Sequence, residues 1–111
     1  MLTSVEYYKD ERGRRPVLEF LLELQRDERA KCLSHVNLLK KYGYELKRPV
    51  AAYLRDGIHE LRPKGNRVFY FFFHRDIVVL VHAIKKRTDA VPLRDVELSV
   101  RRKVEYEKTH K

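Results

Sequence analysis

The order of apolar and polar positions divides the chain into seven elements. Residues 2–8 (LTSVEYY) read as a short strand, and the charged DERGRR that follows reads as a turn. Pro16 suits the first position of a helix, and Val17, Phe20, Leu21 and Leu24 recur behind it at helical spacing. From about Asp27 to Tyr42 the spacing repeats with Ala30, Leu33, Val36 and Leu39, and Gly43 ends it. This predicts two amphipathic helices, or one broken near Gln25. A loop containing Pro49 precedes three strand patterns, GIHELR (57–62), RVFYFFF (67–73) and IVVLVHAIK (77–85), joined by the hairpin-sized RPKGN and HRD. The last two runs are nearly continuous in apolar residues, which places them at the centre of a sheet with both faces at least partly covered. Pro92 opens a C-terminal helix with Leu93, Val96, Val100 and Val104 on one stripe and Arg101, Arg102 and Lys103 on a basic outer face. Strands run together and helices run together. That predicts an α+β fold in which a small antiparallel sheet, the N-terminal strand plus a three-stranded meander, packs against two N-terminal helices and the C-terminal helix.

The length of 111 residues suits one domain, and 43% hydrophobic residues with few Gly and Pro suit a packed core. The single Cys32 can form no intramolecular disulfide and is expected in the core. The five histidines are dispersed and show no metal-ligand spacing, so neither a metal nor a cofactor is expected. MLTSVEYYKDERGRR lacks an apolar core, and no apolar run has the length of a membrane span; a cytoplasmic location with no membrane partner is the expectation. Charge narrows the choice of partner. A net +9 attracts polyanions through counterion release, and nucleic acid is the default. From Arg55 onward there are 14 Lys and Arg against 8 Asp and Glu, whereas the first 54 residues have 11 against 8, so the second half should build the polyanion face.

Strand register adds detail. If HRD is a three-residue loop, Phe73 lies opposite Ile77 and Arg67 opposite Ala83, and alternation puts Arg67, Ala83, Lys85 and Arg87 on one face. A two-residue turn would send Arg87 to the other. A four-residue loop from Pro63 to Asn66 sets Arg62 opposite Arg67. In this register arginines from three neighbouring strands gather, and their repulsion calls for an anion, for which a phosphodiester suits the guanidinium fork. The plain alternative is that each arginine is a solvated strand end. Either way Arg67 and Arg87 are expected to be exposed. His82 falls on the face opposite Arg67 and reads as a core histidine; His59 and His74 read as solvated strand ends, with His59 the better proton-transfer candidate. Tyr70, Phe69, Phe71 and Phe73 read as core.

The run YLRDGIHELRPKGNRVFYFFFHRDIVVLVHAIKKRTDAVP, with VEYYKDERGRRPVLEFLLEL before it and LRDVELSVRRKVEYEK after it, resembles the HigB-like branch of the RelE/ParE toxin superfamily. The most specific parts are G-I-x-E-L-R, R-V-x-Y-F and H-x-x-x-K-K/R-T followed by Pro. The resemblance implies a toxin of a type II toxin-antitoxin pair that cleaves messenger RNA on the ribosome without a metal, the ribose 2′-OH attacking the adjacent phosphate. It implies a cognate helix-turn-helix antitoxin, the ribosome and mRNA as partners. Arg67 matches the strand arginine that acts on the phosphate, Arg87 the second basic residue of the K-K/R pair, Lys86 its neighbour, and Arg62 the arginine of E-L-R. Lys85, Lys64, Arg101 and Arg102 are further RNA-binding cations. The chain departs from the RelE pattern at Glu60, where a proton-transferring lysine belongs, and at Leu93, where a tyrosine belongs; Tyr106 and His110 are the late groups available. Two other classes stay open: a ParE-like gyrase poison without catalysis, and an inactive relative that only binds RNA or a partner.

Overall fold

The computed structural model describes residues 3–86 and 90–110. The elements are β1 (Ser4–Tyr7), α1 (Pro16–Glu23), α2 (Arg26–Tyr42), β2 (Ala51–Arg55), β3 (Ile58–Leu61), β4 (Asn66–His74), β5 (Ile77–Lys85) and α3 (Leu93–Thr109), with a short 3₁₀ turn at Gly43–Glu45. The strands form one sheet in the order β1-β5-β4-β3-β2, so the two apolar runs, β4 and β5, are central as expected.

Two features of the sheet differ from the expectation. It is mixed, because β1 runs parallel to β5, Ser4 opposite Ile77 and Tyr7 opposite Leu80. No hairpin joins these two strands, and the intervening helices leave their relative direction free. The sheet also gains a strand, β2, in the stretch read as a loop. It pairs antiparallel with β3 across Asp56-Gly57. Both turn residues have positive φ, 51° and 82°, the geometry that favours Asp-Gly between paired strands. That dipeptide was the available signal for β2; the weak pattern of AAYLR beside Pro49 hid it.

Helices α1 and α2 cover one face. Val17, Leu21, Leu24, Cys32, Val36 and Leu39 pack there on Leu61, Val68, Tyr70, Val78 and Leu80. Cys32 is fully buried, and burial pushes its thiol up to about 11, which keeps it a protonated core residue. Leu33, expected on the buried stripe, is 39% exposed, and the inward face of α2 is set by Cys32, Val36 and Leu39. Arg29 ties the two helices by donating to the carbonyls of Leu21, Leu22 and Leu24 at the end of α1, where the Leu21 carbonyl also accepts the Leu24 N–H.

Helix α3 covers the other face, over Ile58, Phe69, Phe71, Val79 and Val81. Its buried stripe is rotated from the expected one: Leu93 is 63% and Val104 42% exposed, whereas Val96, Ser99 and Tyr106 are buried. Polar anchors explain the rotation. Asp95 contacts His82 Nε2 at 2.7 Å, Arg102 donates to the Val81 carbonyl at 2.7 Å, and the Tyr106 hydroxyl donates to Glu6 at 2.6 Å. Hydrophobic periodicity does not register such anchors. Arg102 is thus turned inward, away from the expected outer face, and Lys103 lies half-buried against Gly57.

His59, expected as a solvated strand end, is half-buried. It stacks on Tyr70 and meets Tyr53 and Phe72 edge-on. Burial among rings holds its pKa below the usual 6.5. The folded state therefore favours neutral His59 and its contribution is fully present above 6.5; below that the unfolded chain binds the extra proton and stability falls. Thermal melts between pH 7 and about pH 5 should show Tm dropping with acid, and His59→Gln should flatten that slope. A slope unchanged by His59→Gln would show that burial of this ring does not control the titration.

Candidate functional site

The site is built by the ends of β3 and β4. Leu61 lies opposite Val68, and the same register carried one residue further sets Arg62 opposite Arg67, as the sequence predicts. Glu60 lies opposite Phe69, so alternation puts Glu60, Arg62, Arg67 and Phe69 on the α3 face of the sheet. The Glu60 carboxylate sits between the two guanidiniums, 3.7 Å from Arg67 Nε and 3.9 Å from Arg62 Nε. Arg67 also donates to the Asn66 carbonyl at 2.8 Å and the Pro63 carbonyl at 3.4 Å.

The anion that the arginine cluster requires is therefore already present as a side chain. Before desolvation and screening, two attractive contacts near this separation are worth about 4 kcal/mol each at an effective dielectric of about 20, which exceeds one Arg–Arg repulsion across the carboxylate. Burial corrects a second expectation. Arg67 is 6% and Glu60 5% exposed, so Arg67 is a buried, paired cation rather than an exposed strand end. Arg62 keeps 27% of its side chain accessible and is the arginine of the pair that meets solvent. Oε1 of Glu60 has no hydrogen-bond partner, which leaves acceptor capacity in the buried site.

The β4–β5 register explains which other residues join them. Tyr70 to Phe72 face Leu80 to Val78 as the three-residue reading requires, but extra residues near Phe73 and at Val81 shift the pairing at both ends. His74 then pairs with Ile77, and Arg67 pairs with Ile84 instead of Ala83. The shift brings His82, opposite Phe69, onto the Arg67 face, and moves Lys85 off it. Lys85 instead pairs with Glu28 of α2 at 3.5 Å, beside Asn66, which donates to the same carboxylate. Lys86 follows Ile84 in alternation toward the Arg67 face, and its backbone N–H is held by Gly65. Lys64 is exposed in the β3–β4 turn. Arg87 lies outside the described residues.

A second group of cations lies along α3 and at the β2–β3 turn, the end of β3 away from Arg62. Arg94, Glu97 and Arg101 form a stripe that, with Val100 and with Arg55 from the end of β2, lines an open depression of about 390 Å³. Of the RNA-binding cations expected on α3, Arg101 faces this depression; Arg102 is spent on the Val81 carbonyl and on the Tyr8 ring. Arg55 and Arg94 were not singled out by the sequence, because their convergence needs β2 and the rotated face of α3.

The two proton-transfer candidates do not reach the arginines. His59 lies on the α1–α2 face with Tyr70. Tyr106 lies toward the β4–β5 turn, against Phe71 and Phe73, about 16 Å along α3 from Asp95. Burial and the Glu6 hydrogen bond raise its hydroxyl well above the ordinary range, and His110 stacks on its ring at 3.7 Å. His82 is depressed mainly by burial, against the opposing pull of Asp95. Among the described residues no group of His, Cys, Asp and Glu has the arrangement of a metal site. The chemistry that this arrangement can perform is anion binding by guanidiniums beside a carboxylate acceptor.

Truncating Arg67 would leave Glu60 buried without its main counter-charge, a change that typically costs about 3–5 kcal/mol, whereas truncating the partly exposed Arg62 should cost about 1 kcal/mol or less. Urea unfolding should show this order. Adding Glu60→Gln to Arg67→Ala should recover part of the loss; additive losses in the double variant would show that the pair does not couple.

Relatedness agrees with the architecture. No curated protein matches the sequence. Residues 19–104, which span α1 into α3 and include the whole arginine-bearing sheet end, match the family model described as Phage derived protein Gp49-like (DUF891). The chain belongs to this phage-derived Gp49-like family, which is toxin-like and of the RelE/HigB type.

Proposed function

We propose that the protein is the toxin of a toxin-antitoxin pair, of the HigB-like kind, and that it cleaves messenger RNA on the ribosome. The observation that carries this reading is the pair Arg62 and Arg67 held around Glu60 at a sheet end, with further cations, Arg55, Arg94 and Arg101, around a separate depression beside α3. Family membership and the +9 charge support it.

In the proposed reaction the ribose 2′-oxygen bonds to phosphorus and the P–O5′ bond breaks, giving a 2′,3′-cyclic phosphate and a 5′-hydroxyl. Arg62 and Lys86 stabilise the extra negative charge of the transition state. Glu60 accepts the 2′-OH proton, which places a carboxylate where the RelE pattern has a lysine. Arg67 is the positioning group: it holds that carboxylate and takes up less of the substrate contact than the sequence suggested. The leaving oxygen receives its proton from solvent or from Lys86. Ordering of the message by the ribosome would supply the alignment that so sparse a site requires. A cognate helix-turn-helix antitoxin with an acidic segment would mask Arg62, Lys86 and Arg101.

A second reading is favoured by one observation. Arg67 is tied to Glu60 and two carbonyls, so a protein that binds RNA without cutting it would use the same surface. Primer extension on a translated message separates the two. Induction should produce new 5′ ends within codons and stop protein synthesis before DNA replication. Arg62→Ala should lower cleavage about 10²-fold or more, and Glu60→Gln should abolish it while ribosome binding persists. Intact messages with a bound protein would select the non-cleaving reading, and trapped gyrase with replication stopped first would overturn both. Co-expression of the neighbouring gene should restore growth and yield a co-purifying complex.

A further inference from the structure

The opposite face of the sheet carries a second feature that the arginine site does not use. Beyond the reach of α1 and α2, rings from four elements form a continuous ledge. Tyr44 stacks face to face on Phe72, with centroids 3.7 Å apart and planes 16° apart. Phe72 meets His59 edge-on at 5.3 Å, and His59 meets Tyr53 at 5.1 Å. The inner rings are wholly or partly buried, but the outer two are open: Tyr44 is 54% and Tyr53 58% exposed. Tyr44 is braced by its stack on Phe72, and Tyr53 by its edge-on contact with His59 and by the Gly57 N–H that its hydroxyl accepts, so both are held without the entropic cost of ordering a loose side chain.

The charge around the ledge identifies the chemistry of its occupant. The segment KKYGYELKR, 40–48, carries four cations against Glu45 alone, and all four are exposed. Beside Tyr44 an open depression of about 540 Å³ is lined by Lys41, Tyr42 and Arg75, with Glu45 and Asp76 the opposing charges. Lys41 lies over the Tyr42 ring at 5.3 Å. Flat exposed rings interleaved with cations match a polymer with flat bases and a phosphate at each unit. An acidic peptide would satisfy the cations but would leave the ring faces unmatched.

We infer that this ledge binds unpaired nucleotides of RNA, with Tyr44 and Tyr53 stacking on bases and Lys41 and Arg75 contacting phosphates. The choice of RNA rests on the function proposed above; the stacking geometry does not. The ledge lies on the far face from Arg62 and Arg67, so one strand end can be held while another RNA segment occupies the arginine site. The ledge thus increases residence on RNA without touching the scissile phosphate.

The test uses the full chain and a fluorescein-labelled, unstructured 12-nucleotide RNA, with its duplex, the same DNA sequence and poly-glutamate as competitors. Tyr44→Ala and Tyr53→Ala should each weaken binding at least about fivefold, and Tyr44→Phe should retain it. Lys41→Ala and Arg75→Ala should each reduce the slope of log affinity against log salt by about 0.7. Photocrosslinking of a 5-bromouridine-substituted 12-mer to the unaltered protein should map to Tyr44 or Tyr53, so the result does not depend on how any variant folds. Arg62→Ala should lower message cleavage about 10²-fold or more yet leave these crosslinks in place, which separates failure of the ledge from failure of the cleavage reading. Crosslinks confined to the arginine site, alanine variants that bind like the original, or displacement by poly-glutamate or DNA in preference to RNA would overturn the inference.

Discussion

One extra residue in a central strand sets how the arginine-bearing end of the sheet and the C-terminal helix are arranged. Val81 is inserted into β5 against β4, and from that point to the strand end each β5 side chain faces the side it would otherwise have turned from. His82 and Ile84 come to the α3 face, and Lys85 goes to Glu28 on the other. A bulge leaves backbone polar groups poorly paired, and here the Val81 carbonyl is satisfied by Arg102 from α3. The irregularity that re-aims the strand is thereby also the point at which the C-terminal helix is fastened. His82 and Asp95 fasten it about two helical turns before Arg102.

The arginine cluster shows how a candidate binding surface and a stability requirement share residues. Two guanidiniums at neighbouring strand ends would repel, and Glu60 offsets that repulsion from within the fold. The consequence is an asymmetry between two chemically identical side chains. Arg67 is enclosed and structural in its contacts, while Arg62 shares the same carboxylate and still reaches solvent. An incoming phosphate would meet Arg62 first, and any closer approach must compete with Glu60 for Arg67. Family membership in a toxin-like group fits such a guarded site.

The two faces of the sheet divide the remaining work. Toward α3 lie the guanidiniums and the polar anchors of the helix. Toward α1 and α2 lies the main apolar core, which runs out at His59 and Phe72 and continues as the open rings of Tyr44 and Tyr53. The same two strands, β3 and β4, supply residues to both faces by simple alternation, so a substitution in one face acts on the geometry of the other only through the shared backbone.

The apolar periodicity of the sequence was enough to locate α1, α2, α3, β1, β3, β4 and β5, because each buries a face long enough to impose its own period. It also placed β4 and β5 at the centre, while the length of the Pro63–Asn66 loop set Arg62 opposite Arg67 and the lone, unpaired Cys32 was expected in the core. The tertiary structure alone decided what depends on contacts between elements distant in the chain. The parallel direction of β1 and the inward turn of Arg102 arise from partners far away in sequence or from a bulge, and the burial of Arg67 against Glu60 depends on side-chain packing that alternation alone does not specify. A single inserted residue leaves hydrophobic alternation almost unchanged, yet it reverses the face of every side chain beyond it until pairing ends. For that reason the arginines were legible as residues, and their surroundings only as structure.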